Sequence, residues 1–436
     1  MKSYRRLLQL VLALGSALSL GLLWSVTIRS TETNLSSLSD DVVGWDVPPY
    51  GAVVEPALGR LLATGDDEPL RVLVTLHPRL GGNGEIRTST VDAGDTYAWI
   101  VEQRTELSQR REGIAALLDE AARRGILMEE RRLWIVQSLA IRGSPSLIRQ
   151  LMGAPGVSSV RLDHYRSYVD PVMTSLDLGS TASISSSWGV EKIRAPEVWR
   201  TLGVSGTGAV VAIMDTGVEY QHPALATQYR GRLGDDRFLH LIAWYDPVNG
   251  GNYPCDDHGH GTHVTGSAVG QASIGVAPGS QWMGVKVLNG AGSGYDSWIL
   301  EGFQWLLAPG GDPSLAPDVV NASWSSQNSF STLFEESIHT LQDAGIFPVF
   351  ASGNNGPVPE SVGSPASNRG VFSVGASDPD DAVTYFSGRG PSPWGEIKPQ
   401  VVAPGVNILS SISGGIYVEG SGTSMAAPHA AGLGAL

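Results

Sequence analysis

A single cysteine, Cys255, in 436 residues leaves no intramolecular disulfide possible. Stability must then come from the packed core or from bound ions, and an exported chain built this way points to a bacterial setting. Basic charge is the second scarcity. Lys and Arg number 29 against 43 Asp and Glu, a formal net charge of −14. The deficit is local: residues 171–436 hold ten basic and 23 acidic side chains, whereas residues 60–170 hold fifteen of each. Nucleic acid is therefore excluded as a partner, because phosphate binding needs clustered positive charge. A third absence concerns the end of the chain, where no acidic residue follows Ser424.

What is present begins with Met1-Lys2-Ser3-Tyr4-Arg5-Arg6 and an apolar run from Leu7 to Trp24. A basic start before such a run is an export signal. Ala17-Leu18-Ser19 offers a small-residue cleavage site, and an uncleaved anchor is the rival. Contact with a membrane is expected only in that second case. The length exceeds a usual single core, so two folded units are expected.

Residues 1–24 are assigned to the signal or anchor, and 25–67, rich in Ser, Thr, Asp and Gly, to a linker. Residues 68–168 read as a small α+β unit. "LRVLVTL" (70–76) is a strand, and helical spacing runs from about Tyr97 to Arg124 through Ile100, Leu107, Ile114, Leu117 and Leu118. "LWIVQSLAIRG" (133–143) predicts one or two strands. Ser144 and Pro145 open a helix as N-cap and first position, and "GVSSVRLDHY" (156–165) closes the unit. A Ser-rich linker follows over 169–187.

From Trp188 to Leu436 nearly continuous apolar strands alternate with helices, the pattern of a doubly wound, mainly parallel sheet. The strands are 209–215, 282–288, 318–324, 346–353 and 371–377. Helices fall at about 297–307 and 332–344, the second with Thr332 and Glu335 in capping-box spacing. In such a sheet reactive groups gather beyond the carboxyl ends of strands. Asp215, Asn321, Ser323 and Asn354 all fall there. An Asp at a strand end is more often a turn or cap residue, so one alone carries little.

"CDDHGHGTHVTGSAVG" (255–270) concentrates His258, His260 and His263 beside Cys255, Asp256 and Asp257. Two readings compete: a metal site, or one histidine acting as base toward a serine while a carboxylate orients it. The spacing matches neither a helical zinc pair nor a zinc finger. Ser424, in "GSGTSMAAPHAAGLGAL" (420–436), is a natural N-cap, and it also sits where a helix start would stabilise an oxyanion. The α/β-hydrolase order fails, because that fold needs Asp and His after the serine. The remaining order is Asp, His, Ser.

"AIMDTGV" around Asp215, "HGTHVTG" around His260 and "GTSMAAPH" around Ser424 resemble the three signature blocks of subtilisin-like serine proteases. The likeness extends through "GVAPG", "VKVL", "ASGN" and "VVAPGV", covers Trp188 to Leu436, and is strongest toward the bacillopeptidase F branch. Residues 68–168 resemble the inhibitory propeptide of that family. The resemblance implies a secreted serine endopeptidase acting on polypeptides, made as a proenzyme whose own propeptide inhibits it.

It further implies Asp215, His260 and Ser424 as catalytic residues and Asn354 as the oxyanion side chain. Ser323, Trp324, Ser325 and Gly353 would bind substrate. Trp324-Ser325-Ser326 departs from the frequent Leu-Gly-Gly and reshapes the specificity pocket. No cofactor is required for the chemistry. A structural calcium ion is compatible with the family, but Ala224 replaces the usual strong-site aspartate and Gln400 weakens a second site, so metal ligands stay unassigned. Cys255 reads as a buried structural thiol. The rival functions are a non-catalytic binding protein on the same fold and a metal-dependent hydrolase built on His258, His260 and His263. The chain stops inside the apolar "AAGLGAL" without a helix stop signal, which reads as a fragment of a longer frame and predicts weak activity for this piece alone.

Overall fold

The computed structural model describes residues 52–77, 95–169, 187–234 and 237–436. The expected signal (1–24), most of the linker 25–67 and nearly all of the linker 169–187 lie outside the described residues.

The first part is a five-stranded sheet of β1 (Val53–Val54), β2 (Leu70–Leu76), β3 (Leu127–Leu133), β4 (Ser138–Gly143) and β5 (Val157–Leu162), in the order β1-β5-β2-β4-β3. Its helices are α1 (Pro56–Ala63), α2 (Thr96–Arg123) and α3 (Pro145–Met152). Ile100, Leu107, Ile114 and Leu118 of α2 are all buried, at the spacing the sequence predicts. Ser144 caps α3 by accepting from the Leu147 N–H at 3.3 Å. The linker expectation is corrected at its C-terminal end. Pro56 starts α1, and Leu58 and Leu62, four residues apart, bury one face of it. A helix of eight residues with two buried leucines is too short a period to stand out within a stretch that is apolar at most positions.

The second part carries a seven-stranded, all-parallel sheet. Its strands are β7 (Val210–Asp215), β8 (Trp244–Tyr245), β9 (Gln281–Lys286), β11 (Val319–Ala322), β12 (Phe347–Ala351), β13 (Phe372–Ser377) and β14 (Val401–Pro404), ordered β8-β9-β7-β11-β12-β13-β14. Two short strands stand outside it: β6 (Tyr165–Ser167) pairs antiparallel with β10 (Ser293–Tyr295). β7 and β11 are buried at every position, which requires cover on both faces. That cover includes α4 (His260–Val269), α5 (Asp296–Leu306), α6 (Glu335–Asp343) and α7 (Thr423–Ala435). The expected capping box of α6 does not form. Thr332 receives the Glu335 N–H on its backbone carbonyl instead, at 3.0 Å, and Phe334 is the N-cap.

Helix α4 lies very close to the hairpin of β15 (Ile408–Ile412) and β16 (Ile416–Gly420). A Cβ on Gly266 would fall 2.3 Å from the hydroxyls of both Ser410 and Ser411 and 3.0 Å from the Ser411 nitrogen. Only glycine fits without moving backbone. Gly266→Ala should therefore destabilise the chain by about 1–3 kcal/mol through overpacking. A lowered denaturant midpoint at unchanged m-value checks this.

Candidate active site

Asp215 is the last residue of β7 and is fully buried. β7 pairs with β11 in the register Ile213↔Asn321. β11 ends at Ala322, so Ser323 lies just past the carboxyl end of the strand beside the one that ends in Asp215. Asn354 lies just past β12, the strand on the far side of β11. The carboxyl ends of three adjacent strands thus deliver three of the expected site residues.

His260 is the first residue of α4, and its Nδ1 meets Asp215 Oδ1 at 2.7 Å. Nδ1–H donates to the carboxylate, which leaves Nε2 as the basic nitrogen. Gly261 permits the approach, because a Cβ there would sit 2.1 Å from the Gly217 carbonyl oxygen and 3.2 Å from Asp215 Cβ. Burial alone would push the His260 imidazolium down. The charge and hydrogen bond of Asp215 outweigh it, with a smaller contribution from Asp256, and hold the group above its ordinary 6.5.

Asp256 positions this helix start, a role the sequence did not reveal. Its Oδ1 accepts from the His258 and Gly259 N–H groups and from Thr216 Oγ1, at 3.1, 2.8 and 3.0 Å. Its Oδ2 accepts from the Thr262 N–H and hydroxyl at 2.9 and 2.6 Å. One carboxylate therefore ties the Asp215–Thr216 turn to the first turn of α4. An Asp four residues before a helix-opening histidine is the only local signal.

Ser424 is the second residue of α7 and 9% exposed. Its Oγ donates to the Ser323 carbonyl at 2.9 Å, while Ser323 Oγ donates back to the Ser424 carbonyl at 2.8 Å. The hydroxyl is not hydrogen-bonded to His260; a χ1 change moves it to another staggered position. The two helices also meet: a Cβ on Gly432 would lie 2.9 Å from the Ala268 carbonyl oxygen. Gly432 and Ala268 are each eight residues beyond Ser424 and His260. Asn354 Oδ1 accepts from the Thr423 N–H at 2.9 Å and the Thr423 hydroxyl at 3.0 Å. That grip fixes which end of the amide is free, and the free end is the Nδ2 donor.

The expected substrate-binding residues are already engaged. Ser323 is buried and spends its hydroxyl on α7. The Trp324 indole donates to the Met214 carbonyl at 2.8 Å and packs on Phe303, Phe334 and Phe350, so it is a core side chain as well as a wall. Its outer side is covered by the Tyr168 ring, edge-on with centroids 5.4 Å apart. The Ser325 N–H donates to the Tyr168 carbonyl at 3.1 Å. Gly353 lies against Ser325, whose Oγ is 2.9 Å from the position of a Cβ.

The histidine cluster is not gathered as a metal site. His263 is buried, pushed down to about 4 by burial, and its Nε2 lies 3.2 Å from the Val418 carbonyl. The His258 ring centroid stands 6.1 Å from that of His260. Among the described residues no group of three or more His, Cys, Asp or Glu is disposed to hold an ion. Gln400 is committed to β13, accepting from the Ser373 N–H and hydroxyl. Cys255 is half-buried rather than buried, and burial pushes its thiol up, away from an activated thiolate.

Comparison with known proteins fits this geometry. Residues 206–436 match the family model described as the subtilase family. The chain is 39% identical to bacillopeptidase F of Bacillus subtilis (strain 168) over 324 residues, 70% of this chain and 22% of that protein. It is 35% identical over 270 residues to the serine protease AprX of the same organism, 53% of this chain and 57% of that protein. M-protease of Shouchella clausii (strain KSM-K16) is 31% identical over 358 residues, 81% and 84% of the two chains. The chain thus spans only part of the first two relatives.

The His260 environment makes a spectroscopic prediction. In NMR titrations the imidazole should titrate above 6.5 in the folded protein, and Asp215→Asn should lower that midpoint by removing the raising charge. A midpoint unmoved by Asp215→Asn would show that the pair does not control the proton.

Proposed function

Because the chain belongs to the subtilase family, we propose that it is a serine endopeptidase working through Asp215, His260 and Ser424. The observation that carries this is the 2.7 Å His260–Asp215 pair at the end of β7, with Ser424 held at the end of the neighbouring strand. Ser424 Oγ attacks the peptide carbonyl as its proton passes to His260 Nε2. Asp215 holds the tautomer and stabilises the imidazolium. The resulting oxyanion is received by Asn354 Nδ2 and the Ser424 N–H at the start of α7. His260 then protonates the leaving amine, and water hydrolyses the acyl-enzyme with the same residues in reverse.

The finer reading is a secreted proenzyme. The basic and apolar segment 1–24 is its export signal. Residues 68–168 are its intramolecular inhibitor, a role supported by the way this unit meets the cleft. Tyr165–Ser167 pairs with Ser293–Tyr295, and Tyr168 follows into the Ser325 N–H. Asp163 caps α5, accepting from the Ser297 N–H at 2.9 Å and its hydroxyl at 2.7 Å. Arg131 bridges to Glu301 at 2.6 Å and to the Pro247 carbonyl at 2.9 Å. Substrates are polypeptide segments able to enter as an added strand.

A phosphonylating serine probe tests the reading. Labelling of Ser424 should rise as residues up to about 168 are removed, survive a chelator, and vanish in His260→Ala. Loss of turnover with chelator alone would favour a metal-dependent enzyme instead. Ser424→Ala should lower kcat by at least about 10⁴. Asn354→Ala should lower it by about 10²–10³, a magnitude known from the subtilisins themselves rather than obtained from this chain. The rate must also fall with acid: imidazolium cannot accept a proton, so kcat/KM drops below an inflection above 6.5.

A further inference from the structure

Tyr168 is a tyrosine in an unusual seat. It is 4% exposed, its ring stands edge-on to Trp324, and its hydroxyl donates to Asp296 Oδ1 at 2.8 Å. Asp296 opens α5 and is fully buried. Its second oxygen, Oδ2, has no partner among the described residues. The remaining contact of the carboxylate is Arg166 Nε at 3.3 Å, from the same inhibitory strand as Tyr168. Both partners of Asp296 therefore come from the segment that the proposed proteolytic cycle removes. Once it leaves, the floor of this seat is a carboxylate without a protein partner, walled by an indole.

We infer that Asp296 is a specificity-determining residue, and that the seat of Tyr168 is a subsite selecting a tyrosine in the substrate ahead of the cleaved bond. The inference rests on the protease reading and adds the chemistry of one side chain. The strand carrying Tyr168 is extended, hydrogen-bonded to Gly292 through the Tyr168 N–H at 3.0 Å and to Ser325 through its carbonyl at 3.1 Å. A substrate strand laid there presents one side chain to Trp324 and Asp296. Phenylalanine fills the apolar wall but leaves the buried carboxylate without a donor. Tyrosine fills both, and a hydrogen bond to a charged acceptor is among the stronger neutral-to-ionic contacts. Sites built to bond a hydroxyl reject the analogue lacking it. Apolar contact alone would take either ring.

The test uses the full chain, incubated until its peptidase activity is constant. Quenched fluorescent peptides carry a single Tyr, Phe, Leu or Arg moved through the four positions before the cleaved bond. At one position Tyr should exceed Phe by about tenfold or more in kcat/KM. Asp296→Asn, which keeps a neutral acceptor, should shrink that ratio, and Asp296→Leu should bring it close to one. Cleavage with equal Tyr and Phe rates at every position would overturn the subsite while leaving the protease reading intact. Arg exceeding Tyr would also overturn it, because Asp296 would then select a cation. If no peptide is cleaved and the serine probe labels nothing, the protease reading fails and the subsite falls with it.

Discussion

The ladder between β7 and β11 is the constraint from which the rest of the site follows. Parallel pairing with Ile213 opposite Asn321 brings Asp215 and Ser323 to the same carboxyl edge of the sheet. A one-residue slip would turn Asp215 to the other face of the sheet. Two helices then start at this edge, α4 bringing His260 to Asp215 and α7 bringing Ser424 to Ser323. The ladder is itself over-determined, since both strands are buried at every position. The pairing of Asp215 with His260 and of Ser323 with Ser424 thereby rests on two strands buried at every position.

Holding polar groups at a buried edge requires each to be answered, because an unmet buried charge is expensive. The arrangement here is a chain of partners. Lys286 ends β9 opposite Asp215 and is fully buried, with its ammonium on the Thr216 and Leu288 carbonyls and on Asp257. Asp256 takes five donors, from Thr216 after Asp215, from His258 and Gly259 just before α4, and from Thr262 in its first turn. Charge balance and helix placement are therefore solved by the same few residues. Removing Asp256 would loosen the histidine's seat without touching the reacting atoms, which makes it a positioning residue.

The N-terminal unit meets the second one mainly through α5, and its contacts have a common logic. A helix start offers free N–H groups, and Asp163 supplies the anion for them. Burial pushes the Asp163 carboxyl up to about 6 even though Ser297 donates to it twice. Desolvation thus outweighs the hydrogen bonds, so this cap gives positional specificity more than attraction. The tighter polar anchor is Arg131, whose guanidinium reaches both Glu129 within its own unit and Glu301 across the junction. Tyr168 then packs on Trp324 and reaches Asp296 from a strand already aligned by these contacts.

Asp215, His260 and Ser424 stood out in the sequence as candidates because each sits in a short, compositionally distinct block at an element boundary, and the fold brings the first two into hydrogen-bond contact. Five of the seven strands of the parallel sheet were legible as apolar runs, with limits shifted by only a few residues, whereas the two edge strands β8 and β14 were not, β8 being only two residues long. What could not be read is whatever depends on distant pairing. Tyr168 and Asp296 are 128 residues apart, and Asp163 and Ser297 are 134 apart. Nothing in either local stretch marks one as the partner of the other. Trp324 shows the same limit in reverse. As a residue beside the wall serine it reads as a pocket lining, yet its indole is anchored to Met214 and bedded on three phenylalanines. A side chain that large can only be placed there if the core beneath is built around it, so the shape of the cleft is set from inside the fold.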